Sequence, residues 1–95
     1  MGCNTKNCVY VIICCGCDNI YIGETEDIRL RMNLHRNHIV HNTDLYVSKH
    51  IASCAASQNI KFKVMPFYKV NKDDDAHRRN MEQKFIMRFQ PELNR

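Results

Sequence analysis

Five of the six cysteines in this 95-residue chain fall within its first seventeen residues: Cys3, Cys8, Cys14, Cys15 and Cys17, with Cys54 standing apart. A chain this short buries only about two-thirds of the surface its unfolded form exposes, so a small core is often reinforced by a metal or by disulfides. Met1-Gly2-Cys3-Asn4 lacks the charged and apolar stretches of a signal peptide, and the expectation is an intracellular, reducing compartment. Thiols stay reduced there, which sets metal ligation, with free buried thiols as the alternative, ahead of disulfides. The longest apolar run, Val9 to Cys15, is far shorter than the ~20 residues of a membrane span. Membrane insertion and routine secretion are therefore not expected. The net charge of +4 permits phosphate-rich partners without requiring them.

No repeat, low-complexity tract or Gly/Ser linker divides the chain, so residues 1–95 read as one domain. Val9–Cys14 is β-branched and aromatic, as suits a strand buried on both faces. Gly16-Cys17-Asp18-Asn19 is a turn, and Ile20–Gly23 is a second strand closing an antiparallel hairpin. Thr25 is placed to cap a helix over Glu26–Asn37, with Glu26 and Asp27 favouring the dipole of its first turn. Asn42 or Thr43 opens a second helix to about Ala56, carrying Leu45, Ser48, Ile51, Ala52 and Ala55 at helical spacing. Ile60–Val70 forms a third strand, which Pro66 assigns to an edge or a bulge. After the Asn71–Asp75 loop a third helix runs to about Phe89, stopped before Pro91. The order β-β-α-α-β-α describes an α+β fold, a small three-stranded antiparallel sheet flanked by three helices.

The hairpin carries Tyr10 and Tyr21 on neighbouring strands, where their hydroxyls could converge on one face or simply be half-buried strand tyrosines. Arg31 and His35 are one helical turn apart, a pairing that suits phosphate binding and proton transfer but also an ordinary solvated face. Glu82 borders the apolar stripe of Met81, Phe85, Ile86 and Phe89. An inward carboxylate needs a cationic partner, for which Arg78 or Arg79 would serve, or a hard metal such as Mg²⁺.

Taken in order, these residues resemble the GIY-YIG nuclease family. The first motif reads Cys8-Val9-Tyr10 where the family has Gly-Ile-Tyr, and the second, Tyr21-Ile22-Gly23, matches. The family arginine falls on Arg31, its histidine or tyrosine on His35, its metal-binding glutamate on Glu82 and its late asparagine on Asn94. Arg29 competes for the arginine role but faces well away from His35 on a helix of about 3.6 residues per turn. The resemblance implies a GIY-YIG fold and metal-dependent hydrolysis of a DNA phosphodiester. In that reaction Glu82 holds Mg²⁺ or Mn²⁺. Tyr10, with Tyr21 or His35, orients and deprotonates the attacking water. Arg31 stabilises the phosphate, and Asn94 orients the glutamate or substrate.

The stretch VYVIICCGCDNIYIGET, followed by LRMNLHRNHI and VSKHIASC, is further similar to the endonuclease domain of Penelope-like retroelements. That resemblance implies a structural zinc held by Cys14, Cys17, His50 and Cys54, with Cys54 replacing the usual terminal histidine. Cys-x₂-Cys on a turn and His-x₃-Cys on one helix face suit a tetrahedral site. Cys15 competes with Cys14, while His38 and His41 are weaker ligand candidates. The resemblance implies an origin in a mobile element or virus, with DNA as partner and a location with access to it. A monomer in isolation is the starting expectation. The rival reading is a zinc-stabilised DNA-binding module without catalysis; a third is a small zinc-held protein-interaction domain.

Overall fold

The computed structural model describes residues 5–40, 46–70 and 74–94, with the side chains of residues 39 and 40 left aside. The elements follow the expected order: β1 (Lys6–Cys14), β2 (Ile20–Asp27), α1 (Ile28–Val40), α2 (Tyr46–Cys54), β3 (Phe62–Lys69) and α3 (Asp75–Phe89). The sheet order is β2-β1-β3, with both pairings antiparallel.

The central position of β1 explains its apolar composition. Cys8, Tyr10, Ile12 and Cys14 point to one face, while Val9, Val11 and Ile13 point to the other. The first set packs against Ile28 and Met32 of α1, Val47 and Ile51 of α2, and Ala55 and Leu93, forming the core. The opposite face meets α3. There Phe85 lays its ring edge-on against Phe67 at 4.8 Å, and Phe89 joins Val11, Ile20, Ile22 and Met65 around a shallow apolar groove. Met81, Phe85 and Ile86 are only half-buried, and Phe89 is 54% exposed, so the expected apolar stripe of α3 is largely a rim.

The hairpin turn is closed by the Asp18 N–H donating to the Cys14 carbonyl at 2.8 Å, with Asp18 at φ 64° in the left-handed region that Asp tolerates. Pro66 lies on the edge strand β3, as its missing N–H requires. Opposite Val9 and Tyr10, the pairing jumps from Tyr68 to Pro66, leaving Phe67 as the extra residue of a bulge.

The largest boundary difference lies between β2 and α1. β2 continues through Glu24, Thr25, Glu26 and Asp27, and α1 begins only at Ile28. The ladder with β1 extends as far as the Lys6–Asp27 pair, which outweighs the local capping signal at Thr25. Asp27 is the residue that caps α1, its Oδ1 accepting from the N–H groups of Arg29 at 3.0 Å and Leu30 at 3.3 Å. The Thr25 hydroxyl instead exchanges hydrogen bonds with the main chain of Asp27. Glu26 and Asp27 are thus strand residues and do not occupy a first helical turn. The second helix ends at Cys54, two residues before the expected Ala56. Its expected start at Asn42 or Thr43, with Leu45, lies outside the described residues, as do most of the Asn71–Asp75 loop, Cys3 and His41. Asp74 caps α3 through the His77 N–H, and Gln90 ends it at φ 45° just before Pro91.

Candidate active site and metal cluster

The β1–β2 register sets Tyr10 opposite Gly23 and Ile12 opposite Tyr21. The two tyrosines are therefore diagonal neighbours on one face, with ring centroids 6.5 Å apart. Gly23 has a steric reason to be glycine. A Cβ there would lie 2.5 Å from the Tyr10 hydroxyl oxygen and 3.0 Å from a Tyr21 ring carbon. The third turn of α1 brings His35 over this pair, edge-on to Tyr10 and Tyr21 at 6.1 and 5.7 Å. Its Nε2 lies 3.0 Å from the Tyr10 hydroxyl, in a buried hydrogen bond.

Arg31 and Glu82 act on this cluster electrostatically. Burial raises the Tyr10 hydroxyl well above the ordinary tyrosine range; a charge on Tyr21 would raise it further, Arg31 opposes the shift, and Glu82 and Glu24 add to it. Tyr21 is raised for the same first reason, with Glu82 adding and Arg31 opposing. The Glu82 carboxyl is also raised, by partial burial and then by the nearby Glu24. Hydrogen bonds from the Gln83 amide and the Glu24 main chain, together with Arg31, counter that rise. Among the described residues Glu82 has no salt-bridge partner. Arg78, one candidate to neutralise it, pairs with Glu24, Glu26 and Asp75 instead.

Burial, reinforced by the charges of Arg31 and His38, pushes His35 down from 6.5 to about 4. It is therefore neutral near pH 7 and can accept a proton at Nε2 when that nitrogen carries none. A depressed histidine binds more protons in the unfolded chain than in the folded one. Its stabilising contribution is complete above about 6.5 and is lost as pH falls toward about 4. Denaturant melts across this window should show the native chain losing stability faster than His35→Gln. A constant gap between the two curves would contradict a neutral, buried His35.

The Asn94 side chain lies against β2. Its Oδ1 accepts from the Ile22 N–H and its Nδ2 donates to the Ile22 carbonyl, both at 2.8 Å. The Leu93 N–H donates to the Ile20 carbonyl at 3.0 Å, and Glu92 accepts from the Ile20 N–H at 3.2 Å. These residues seal the outer edge of the strand that carries Tyr21 and Gly23. In this structure the amide of Asn94 is engaged by backbone.

At the other end of the hairpin, Cys14, Cys17, His50 and Cys54 bring one ligand atom each within 4.8 Å of the others. Cys14 closes β1, Cys17 stands on the turn, and His50 and Cys54 project from one face of α2. The Cys17 sulfur lies 3.1 Å from His50 Nε2. The Cys54 thiol is pushed up to about 11, first by hydrogen bonding with Cys17, then by desolvation and by Cys14. Crowded thiols of this kind favour thiolates only when a cation is supplied. A tetrahedral site with Zn–S near ~2.3 Å and Zn–N near ~2.0 Å matches these donors in type and spacing. Gly16 makes the approach possible, since a Cβ there would collide with the Cys54 carbonyl and lie 2.8 Å from its sulfur. Cys14, rather than Cys15, is the member of this cluster, and His38 is not part of it.

A sequence profile of the GIY-YIG catalytic domain matches residues 6–94. The chain belongs to the GIY-YIG family. No curated protein and no solved structure matches it. GIY-YIG domains are nucleases that act on DNA with divalent metals. Gly16, Glu24 and Arg78 carried no functional assignment from the sequence. Their roles arise from close approach and from partners distant in the chain, so local pattern offers no signal for them.

Proposed function

We propose that the protein is a metal-dependent DNA endonuclease that hydrolyses phosphodiester bonds, with a zinc ion as a structural staple. The observation carrying this reading is the Tyr10–His35 hydrogen bond in a cluster that also holds Tyr21 and feels Arg31 and Glu82. A protein that only binds DNA has no need of a buried hydroxyl–imidazole pair beside a half-buried carboxylate.

Glu82 suits Mg²⁺ or Mn²⁺, being a hard oxygen donor without a neutralising side chain among the described residues. Glu82 would hold such an ion, which would supply positive charge to the scissile phosphate and to the departing 3′ oxygen. The chain's own groups handle the water. A free Tyr10 phenolate is disfavoured by burial, so Tyr10 acts as a relay. Its oxygen takes a proton from the attacking water as its own proton passes to Nε2 of neutral His35. The oxygen of that water forms the new bond to phosphorus, the bond to the 3′ oxygen breaks, and the 3′ oxygen takes a proton from solvent water. Arg31 meets the charge that gathers on the phosphate, and Tyr21 packs against both members of the relay. Asn94 supports the reaction by orienting β2 and, through it, the glutamate or substrate.

Cys14, Cys17, His50 and Cys54 would hold the zinc, joining the hairpin tip to α2. The similarity of VYVIICCGCDNIYIGET to Penelope-like retroelement endonucleases supports an origin in a mobile element or virus and a reducing location with access to DNA. The deciding experiment incubates supercoiled plasmid with the zinc-loaded protein and Mg²⁺ or Mn²⁺, against an EDTA control. Nicked circles that form only with added metal are the expected result. A folded protein that retards DNA but never nicks it would favour the binding module.

A further inference from the structure

Arg78 is 3% exposed, an unusual place for a guanidinium on a helix of so small a domain. It projects from the first turns of α3 into a nest of acceptors drawn from three elements. Its Nε donates to Glu24 of β2, Nη1 donates to Asn7 of β1 at 3.0 Å, and Nη2 pairs with Asp75 at 2.8 Å. Glu26 lies further out, at 3.8 Å. Asn7 reaches this position from a left-handed backbone, φ 51°, within β1.

Two neighbours of this nest lie in the reaction site. Glu24 directly follows Gly23, and its main chain is close enough to Glu82 to favour the charged form of that carboxyl. Glu82 itself is four residues beyond Arg78 on α3, so the two side chains are adjacent on the helix surface. The Glu24 carboxylate is bound to Arg78, which stands one helical turn from Glu82 on α3. Its negative charge is already felt at Glu82, Tyr10 and Tyr21. Mg²⁺ is commonly held by one or two carboxylates plus water and substrate phosphate. A second carboxylate would replace one of the ion's waters and offset more of the positive charge that the scissile phosphate meets.

We propose that Arg78 is a positioning residue that withholds the Glu24 carboxylate from the divalent-metal site, leaving Glu82 as a single-carboxylate ligand open to phosphate. The inference rests on the nuclease reading for its purpose, but its geometry is that of the β1–β2–α3 junction alone. A merely structural role for Arg78 predicts that its loss weakens metal binding and cleavage together. Withholding Glu24 predicts that they separate.

The test uses the zinc-loaded full chain as Arg78→Gln, Glu24→Gln and the double variant, with folding checked by circular dichroism. Mn²⁺ affinity is read by electron paramagnetic resonance without DNA, and nicking is read on plasmid. Arg78→Gln should bind Mn²⁺ about tenfold more tightly, because a cation is lost and a carboxylate freed nearby. It should nick on the order of a hundredfold more slowly, as expected when reacting groups are misplaced. The double variant should return the Mn²⁺ affinity to within about threefold of the native value, since no carboxylate remains to be freed. Unchanged or weaker Mn²⁺ binding in Arg78→Gln would overturn the inference. If that single variant fails to fold, the double variant decides: folding and nicking support the proposal, and an unfolded or inactive double variant overturns it. Plasmid left intact by the native chain would count against the nuclease reading, whereas the Mn²⁺ titration reports on Arg78 in either case.

Discussion

Replacing Glu82 by Gln should reduce nicking by roughly a hundredfold to a thousandfold, the scale of several kcal/mol of transition-state stabilisation. The change keeps the size and hydrogen-bonding capacity of the side chain and removes only its charge. The half-buried carboxylate lies near Glu24, and its loss relieves a like-charge contact, so the variant should fold at least as well as the native chain. DNA affinity should hold within a few-fold, because binding draws on the Lys and Arg side chains distributed over the surface. Plasmid nicking with gel-shift measured in parallel separates these effects. A variant that still turns over would remove Glu82 from the metal site. Loss of binding together with cleavage would instead point to a role in holding DNA.

Removing the metal from the Cys14–Cys17–His50–Cys54 cluster should lower the melting temperature by on the order of 15 °C or more. Structural zinc in small domains contributes folding free energy outright, while a chain of this size has only a few kcal/mol in reserve. The cluster links the hairpin tip to α2 at a point where the alternative is three crowded thiols. Purified protein should release about one zinc per chain to a chromogenic chelator, as four converging donors imply. Cys54→Ser should lose both the metal and the thermal stability, whereas Cys15→Ser should keep the metal, since Cys15 stands outside the cluster. Full stability in metal-free protein would show that these thiols are unliganded and hold nothing together.

The parts of the fold that were legible beforehand are those in which one residue pattern has one physical outcome. The uninterrupted run of Val9–Cys14 demands burial on both faces, and the central place of β1 supplies it. Pro66 lacks an N–H, and an edge strand with a bulge is where that costs least. The boundary between β2 and α1 was not legible, because Thr25 and Asp27 are both good capping residues. The choice between them depends on the ladder reaching Lys6, nineteen residues before Thr25. The site divides the same way. Tyr10, Tyr21, Arg31, His35 and Glu82 stood out by spacing, and the structure gathers the two tyrosines with His35, within reach of the charges on Arg31 and Glu82. The Arg78 nest could not have been found by spacing, since Glu24 and Asn7 precede it by 54 and 71 residues. Asn94 was named only through the family resemblance, and its bonds to the Ile22 backbone, 72 residues away, are visible only in the folded chain.

That last contact bears on when the proposed site is assembled during synthesis. β2 is an edge strand, and the backbone groups of Ile20 and Ile22 on its outer side find their partners in residues 92–94. A nascent chain on the ribosome can form the β1–β2 hairpin early, because that pairing is local. It cannot close the outer margin of β2 until Asn94 has emerged, together with the α3 residues that deliver Glu82. Until then the strand bearing Tyr21 and Gly23 has an open side exposed to neighbouring chains. Translation thus sets an order of events: α3 brings Glu82 to the proposed centre first, and residues 92–94 then cover the open side of β2.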